Sequence, residues 1–408
     1  MQTSSKIFRL KGVVQHYNWG GHSFLPELLQ MDNPSLQPFA EYWMGAHANA
    51  PAQILLEDGT LQPLNIFIRQ YGKKVLGERV SRRFGALPYL FKILDVKDML
   101  SIQVHPSKKR AVIEFEAENK KGIPVNDPQR NYKDDNHKPE LMLAWSDFWL
   151  LHGFKPPELL ESVLNKVPEL NFLLPVWKKS GYEGIYKQVM EMDQPAVNKI
   201  LQPLIDRILP LYEANQLKRS EEDFWAARAF LTFCKDGLLD RGLFSIYFFN
   251  LVNLKPGEAI FQDAGILHAY LEGQNLEIMA NSDNVLRGGF SNKRVDVPEL
   301  LKQVRFEPVV PQIIKGHPVN DTIEKAFRTP AADFELRIIV LARNSSIEIT
   351  CYTTDIFLVT EGTVNATADT VAIPLHKGEC FLSTDGAVIN LHSGAEGVVV
   401  FHATVPEW

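Results

Sequence analysis

The chain has 408 residues and a formal net charge of −6. This length exceeds one ordinary hydrophobic core, so two or three domains are expected. The acidic balance argues against a dedicated nucleic-acid or anionic-membrane partner, and no apolar run approaches the roughly 20 residues of a membrane span.

The three cysteines are widely separated and form no C-x-x-C pair of the kind found in structural zinc sites. We therefore interpret Cys234, Cys351 and Cys380 as buried free thiols of a reducing compartment. Residues 1–11 contain no apolar segment of signal-peptide length. These features predict a cytoplasmic protein.

The first third of the chain predicts antiparallel β-structure, because short apolar runs are separated by Gly, Pro and Asn. The predicted strands are Ile54–Leu56, Tyr89–Leu94, Met99–Val104, Glu140–Ala144 and Phe148–Phe154. Ser107 is the predicted N-cap of a helix over Lys108–Lys120, with Gly122 as its stop. Residues 123–139 are predicted to be a polar loop.

From 156 to 242 the apolar residues recur at helical spacing, which predicts a helical insertion. Pro203 and Pro210 are expected to kink or divide one of its helices. Ser220–Asp223 is typical of a capping box that opens another helix. Strand character returns at Phe244–Leu254 and continues as short strands to the end of the chain, with one helix near Val297–Val304.

An internal repeat connects two of these β-segments. Leu254–His268 aligns without gaps with Leu375–Ile389. The matched pairs include Gly257 with Gly378, Glu258 with Glu379, and Gly265 with Gly386. Each copy reads as turn, strand, turn, strand, which predicts two related β-barrels or jelly rolls. Because Ile389 stands opposite His268, only the first copy is expected to bind a metal at that position.

Gln103 and His105 are two residues apart in an apolar stretch, so on a strand they point to the same face. Burying both polar groups is costly unless each has a partner, and a metal ion would satisfy both. A satisfied core histidine is the commoner alternative for such a residue taken alone.

A second polar motif, Asn136–Glu140, precedes an apolar strand. Pro139 forces Lys138 into an extended conformation, so Lys138 and Glu140 can share one face. A solvated loop rim is the alternative reading of this motif.

A third motif begins at His268 and Tyr270, which have the same two-residue spacing on an apolar strand. It continues to Arg287, which precedes Gly288 and Gly289. Arginine suits bidentate contact with phosphate or carboxylate, and glycine lets a ligand approach the backbone closely. In most proteins, however, Arg-Gly-Gly alone is a hairpin.

Together the three motifs supply two nitrogen and two oxygen ligands suited to zinc: Gln103, His105, Glu140 and His268. These residues are spread over the chain, so spacing alone does not group them.

The chain resembles type I phosphomannose isomerases. The matching stretches, in chain order, are Tyr17–Gly20, Ala40–His47, Leu90–Asp95, Leu100–Pro106, Asn136–Glu140, Leu267–Leu271 and Met279–Gly289. The resemblance covers nearly the whole chain. It departs from the family pattern at Ser107, Leu267 and Ser291-Asn292, and none of these changes removes a ligand.

The resemblance implies a mainly β protein with a helical insertion: two cupin (jelly-roll) β-domains plus an α-helical domain. A discontinuous catalytic cupin domain would span 1–155 and 243–329. The helical insertion would span 156–242, and a metal-free cupin domain would span 330–408.

The resemblance also implies the residues of the active site. One zinc ion would be bound by Gln103, His105, Glu140 and His268. Arg287 would be the essential arginine. The other catalytic candidates are Lys138, His137, Asp283 and Tyr270. The candidate substrate contacts are Ser101, Glu277 and Lys293.

The implied activity is a zinc-dependent interconversion of mannose 6-phosphate and fructose 6-phosphate through an enediol(ate). Lys138 or His137 would be the base, and Asp283 would assist ring opening. The expected partner is the sugar phosphate alone, and the chain is expected to be a monomer.

Two alternatives remain open. A non-catalytic sugar-phosphate-binding cupin should have lost a ligand or the arginine. A cupin oxygenase with Fe(II) favours two histidines and one carboxylate, without a residue such as Gln103.

Overall fold

The computed structural model describes residues 5–319 and 323–407. Its strands are β1 (Ile7–Lys11), β2 (Val13–Gln15), β3 (Glu41–Gly45), β4 (Gln53–Leu55), β5 (Leu61–Pro63), β6 (Tyr89–Val96), β7 (Gln103–Val104), β8 (Glu140–Ala144), β9 (Phe148–Phe154), β10 (Phe249–Leu254), β11 (Ala259–Gln262), β12 (His268–Ala280), β13 (Leu286–Arg287), β14 (His317–Pro318), β15 (Lys325–Phe327), β16 (Glu335–Leu341), β17 (Ser346–Thr350), β18 (Asp355–Ala368), β19 (Val371–His376), β20 (Cys380–Ser383) and β21 (Val388–Thr404). Its helices are α1 (Phe24–Leu28), α2 (Leu64–Tyr71), α3 (Lys73–Phe84), α4 (Lys108–Lys120), α5 (Pro157–Lys166), α6 (Leu174–Glu191), α7 (Gln194–Glu213), α8 (Glu222–Phe233), α9 (Gly242–Phe248) and α10 (Val297–Gln303), with a 3-10 helix at Pro168–Leu173.

Ten strands form an antiparallel sheet, which we call the cleft sheet. Its main order is β10-β9-β12-β6-β3-β2. Strand β7 pairs with β12 and β13, and strand β8 pairs with β12 and β11. The long strand β12 is central because it pairs with β6, β7, β8 and β9. The residues at both ends of β12 therefore meet side chains from four other strands.

The other eleven strands form a second antiparallel sheet, which we call the C-terminal sheet. Its order is β14-β15-β16-β21-β18-β20-β1-β4-β5, with β17 on β21 and β19 on β18. Three of its strands, β1, β4 and β5, come from the first 63 residues of the chain. The two-sheet, mainly β architecture is the predicted fold class, whereas the boundary at 329/330 stays a prediction.

The predicted helical region is confirmed, because α5 to α8 and the 3-10 helix occupy residues 157–233, whereas the domain bounds 156–242 stay a prediction. Its buried apolar residues pack against the cleft sheet in one continuous core cluster, which includes Leu160, Leu201, Trp225, Phe154 and Phe249. Within the described residues, no helix is both long enough and apolar enough to cross a membrane.

The prolines of this insertion do not divide their helix. Helix α7 is continuous although it contains Pro203 and Pro210, so of the two predicted effects only a kink remains. Its buried face, with Leu201, Leu204 and Ile208, packs in the core, and this packing outweighs the backbone hydrogen bond lost at each proline.

The predicted capping box at Ser220 was wrong. Helix α8 begins at Glu222 with Glu221 as an N-cap that makes no side-chain capping bond. The Glu221 carboxylate instead accepts a hydrogen bond from the Lys218 amide.

Two predicted strands are also corrected. Residues 244–248 belong to α9, and the strand begins only at Phe249. Every residue of α9 is buried, so its sequence carries no periodicity that separates helix from strand. Residues 99–102 lie outside any strand, and only Gln103–Val104 of the predicted strand forms one.

The repeat is confirmed by the backbone. Strands β11 and β20 occupy matching positions of the two copies. The turn glycines also match: φ is 84° at Gly257 and 87° at Gly378, and it is 81° at Gly265 and 70° at Gly386. Ile389 is fully buried in an apolar cluster of the C-terminal sheet.

Candidate metal centre and cleft

Three buried side chains from separate segments meet beside His268, the first residue of β12. The ligand atoms of His105, Glu140 and His268 all lie within 4.8 Å of one another. His105 Nε2 is 3.5 Å from Glu140 Oε1, and His268 Nε2 is 3.3 Å from Glu140 Oε2. Two imidazole nitrogens thus face one carboxylate, and all three side chains are almost closed to solvent.

The sheet register brings this cluster together. His268 is the first residue of β12 and is paired with Gln103 of β7, so His105 follows just beyond that pair. Glu140 is the first residue of β8 and is paired with Met279 of β12. Glu140 is also paired with Gln262 of β11, six residues before His268. The three side chains therefore meet across the interior of the cleft sheet, not on neighbouring positions of β12.

The hydrogen bonds of the two histidines favour metal binding. His105 Nδ1 lies 2.8 Å from the Asn284 carbonyl, and His268 Nδ1 lies 3.0 Å from the Ile266 carbonyl. Since a carbonyl only accepts, each Nδ1 carries the proton, and each Nε2 presents a lone pair to the cluster.

The charge states point the same way. Burial lowers the pKa of His105 to about 4, which leaves a neutral imidazole. Its Nε2 has no hydrogen-bond partner among residues 5–319 and 323–407. Burial alone would raise the pKa of Glu140, but Lys138 and His105 hold that pKa well below its usual range. Two imidazole nitrogens and a carboxylate fit zinc.

The cluster opens into a cavity of about 1610 Å³. Ten of the twelve predicted site residues line it: Ser101, Gln103, Lys138, Glu140, His268, Tyr270, Glu277, Asp283, Arg287 and Lys293. His105 does not line the cavity and is fully buried. Gln103 lines the same cavity and is the strand partner of His268, and its role as a fourth ligand stays a prediction.

The structure does not bring His137 into the cavity. Its Nε2 instead lies 3.0 Å from the Asp333 carboxylate. Lys138 points the other way, with its Nζ 2.8 Å from Glu140 Oε1. Neighbouring side chains of an extended segment point to opposite faces, so only one of this pair can reach the cleft.

Two cations, Arg287 and Lys293, also line the cavity. Burial lowers the pKa of Arg287, although a guanidinium stays charged at any ordinary pH. The positive charge of Arg287, ahead of burial, lowers the pKa of Lys293. Two cations that repel each other beside a cavity favour an anionic ligand between them.

Asp283 lies at the rim with two partners. His47 Nε2 is 3.3 Å from one carboxylate oxygen, and the Asn49 side-chain amide donates to the other at 3.1 Å. Burial would raise the pKa of Asp283, but the contact with His47 lowers it. Asp283 therefore faces the cavity as a carboxylate.

A buried charge network beside the cavity was missed as a functional feature. Lys92 Nζ lies 3.0 Å from Glu277 Oε1 and 3.5 Å from Glu41 Oε2. The Tyr270 hydroxyl donates to Glu277 Oε2 at 2.8 Å. A signal was present, because Lys92 is the one cation in β6, a strand whose eight residues are all buried.

The comparisons with known proteins agree with this geometry. The family model of the type I phosphomannose isomerase catalytic domain matches residues 7–157. The mannose-6-phosphate isomerase of Salmonella typhimurium is 36% identical over 387 residues, which cover 94% of this chain and 96% of that protein. The human mannose-6-phosphate isomerase is 34% identical over 91% of this chain and 92% of its own.

Two solved structures are similar over almost the full length. A zinc-bound mannose 6-phosphate isomerase has a TM-score of 0.86 at 32% identity, covering 99% of this chain and 100% of its own. The Salmonella typhimurium enzyme, solved with its substrate and zinc bound, gives the same TM-score, identity and coverage.

Proposed function

The chain belongs to the type I phosphomannose isomerase family, and we propose that the cleft described above is its active site. The protein is a zinc-dependent aldose–ketose isomerase that interconverts mannose 6-phosphate and fructose 6-phosphate. The observation that carries the assignment of the site is the buried His105, Glu140 and His268 cluster, which opens into a cavity that cations also line.

The reaction moves a proton between C2 and C1 of the open-chain sugar. A base removes the proton from C2, an enediol(ate) forms, and a proton returns at C1 while the hydroxyl proton passes from O2 to O1, so the atoms balance. A zinc ion at His105, Glu140 and His268 would supply a Lewis acid for the negative charge on the substrate oxygens.

We assign the proton transfer to Lys138. Its amine faces the cavity next to the metal cluster, whereas His137 contacts Asp333 outside it. A general base must be within hydrogen-bond reach of the proton that it removes, and Lys138 is the better placed of the two predicted bases.

The remaining roles follow from charge and position. Arg287 supplies a fixed positive charge for the developing oxyanion. Lys293 and Ser101 contact the sugar or its phosphate. Asp283 accepts the ring hydroxyl proton during ring opening. Tyr270 and Glu277, held together by one hydrogen bond, shape the wall beside the reacting carbons.

The test is a coupled assay on mannose 6-phosphate with Glu140→Ala and Arg287→Ala proteins. Glu140→Ala should lose both zinc and turnover, because the carboxylate ligand is gone. Arg287→Ala should keep its zinc and lose turnover by about a hundredfold or more, as expected when one oxyanion-stabilising group is removed. A chelator should abolish the turnover of the native protein, because it removes the zinc.

The matched controls are Glu116→Ala and Arg110→Ala, two exposed residues of α4. Both should isomerise normally. A fully active Arg287→Ala protein would contradict the role proposed for that arginine, and iron in place of zinc would favour the oxygenase alternative.

We also propose a monomeric, cytoplasmic enzyme. The three cysteines are free thiols, as is usual in a reducing compartment. Sedimentation velocity and fractionation of cells are the corresponding measurements, and a dimer or a secreted protein would refute the respective proposal.

A further inference from the structure

The loop after Arg287 contains a bulky residue, Phe290, in an uncommon backbone conformation. Gly289 has a φ of 135° and Phe290 a φ of 55°. The first conformation is open essentially to glycine alone, and the second is uncommon for a bulky residue. Contacts from outside the loop must therefore hold its backbone.

One side of this loop is held by the segment of Gln103. The Gly288 amide donates to the Ile102 carbonyl at 2.9 Å, and the Ile102 amide donates to the Gly289 carbonyl at 3.1 Å. These bonds extend the two-residue pairing of β13 with β7.

The other side is held by Asp240, between α8 and α9. One carboxylate oxygen accepts from the Gly242 amide at 2.7 Å, and the other accepts from the Phe290 amide at 3.1 Å. Burial raises the pKa of Asp240, while the amides of Gly242, Phe290 and Ser291 oppose the rise by bonding the charged form.

The approach of the two backbones is too close for larger residues. A Cβ on Gly289 would lie 2.7 Å from the Gly242 Cα and 2.9 Å from Asp240 Oδ1. The Phe290 ring stacks on Phe233 of α8, with centroids 4.9 Å apart and planes 15° apart. The end of the helical insertion therefore packs closely along this loop.

These contacts matter because Arg287 has no side-chain partner of its own. Within the described parts of the chain, its guanidinium makes no hydrogen bond and no ion pair. Its direction is therefore set by the backbone on which it stands. Lys293, a few residues further along, has the same dependence.

We propose that Asp240 is a positioning residue of the isomerase, because its carboxylate holds the backbone at Gly289 and Phe290 so that Arg287 faces the cavity. The inference rests on the role proposed for Arg287. It makes the end of the helical insertion part of the catalytic apparatus, although Asp240 does not reach the metal cluster.

The test is a double-mutant cycle with Asp240→Asn and Arg287→Ala, with kcat, KM and zinc content measured for each protein. In the native background Asp240→Asn should lower kcat by about tenfold or more with a smaller change in KM, because a misplaced arginine loses its effect in the transition state. In the Arg287→Ala background the same change should cost less than about threefold, because the group that it positions is absent.

Asp236→Asn, an exposed change in the same turn, is the matched control and should leave kcat and KM unchanged. If Asp240→Asn does not fold, Asp240→Glu, which keeps the carboxylate at a shifted position, takes its place in the cycle.

Three results would overturn the inference: native kcat and KM in Asp240→Asn, an equal loss in both backgrounds, or loss of zinc in parallel with activity. A fully active Arg287→Ala protein is a different outcome. It would contradict the proposed role of Arg287 while the zinc chemistry stands.

Discussion

Lys92 compensates the buried negative charges of two glutamates beside the cleft. Its ammonium lies between the carboxylates of Glu41 and Glu277, and all three side chains are buried. Burial alone would lower the pKa of Lys92, but Glu41, Glu277 and Glu140 raise it, so the ammonium keeps its charge. Removing one member of such a network leaves an uncompensated buried charge.

Lys92→Met should therefore lower the free energy of unfolding by about 3–5 kcal/mol, although methionine is close to the lysine stem in length. The measurement is urea denaturation of the zinc-loaded proteins. Lys97→Ala, an exposed change close by on the chain, should stay within about 0.5 kcal/mol of the native value. Equal stability of Lys92→Met and the native protein would show that water already screens the two carboxylates.

The residues of the site were predictable to different degrees. Gln103 and Glu140 stand out in the sequence because polar residues interrupt apolar strands. The structure places His137 against Asp333, and the sequence does not say which of two neighbouring side chains points inward. Lys92 carried the same signal as Gln103, but its carboxylate partners lie on other strands and only the fold brings them together.

At the scale of elements, the repeat offers a controlled comparison. Gly257 and Gly378 occupy the same turn in the two copies with nearly the same φ. Their surroundings differ: a Cβ on Gly257 meets nothing within 4 Å, whereas a Cβ on Gly378 would lie 2.0 Å from the Leu28 carbonyl oxygen. Substituting alanine at these two equivalent positions therefore separates the cost of a left-handed backbone from the cost of a steric clash.

Gly257→Ala should lower the free energy of unfolding by about 1–2 kcal/mol, because a left-handed backbone is unfavourable for an L-residue. Gly378→Ala should cost about 1–3 kcal/mol more, because α1 must also move. Gly122→Ala, in an uncrowded turn at the end of α4, should match Gly257→Ala. The measurement is again urea denaturation, and indistinguishable costs at the two repeat positions would mean that α1 shifts freely.

Elements with local signals were predicted well, and elements set by tertiary contacts were not. The helix Lys108–Lys120 has its cap in its own sequence, and Ser107 accepts the predicted bond from the Arg110 amide. Helix α9 lacks such a signal, because it is apolar almost throughout and every one of its residues is buried. Its helical form comes from packing between α8 and β10.

At the scale of the whole molecule, the two sheets share a core. One apolar cluster contains Tyr42, Phe91 and Ile278 of the cleft sheet together with residues of the C-terminal sheet, namely Leu336, Ile356 and Phe401. Phe8 of β1 belongs to the same cluster, and its strand pairs with β20. The five residues of β1 contain no information about this distant partner, so the pairing of β1 with the C-terminal sheet was not predictable from the sequence.

The shared core predicts that the two sheets unfold together. Phe8→Ala leaves a cavity at a residue that is 2% exposed, and such changes cost about 3–5 kcal/mol. Hydrogen exchange should therefore show reduced protection of the most stable amides in β6 and β12 as well as in β18 and β20, by the same free energy. Val340→Ala, an exposed change in β16, should leave both groups unchanged. If Phe8→Ala weakened only the C-terminal strands, the catalytic and C-terminal parts would be separate folding units, and the metal centre would not depend on the far sheet for its stability.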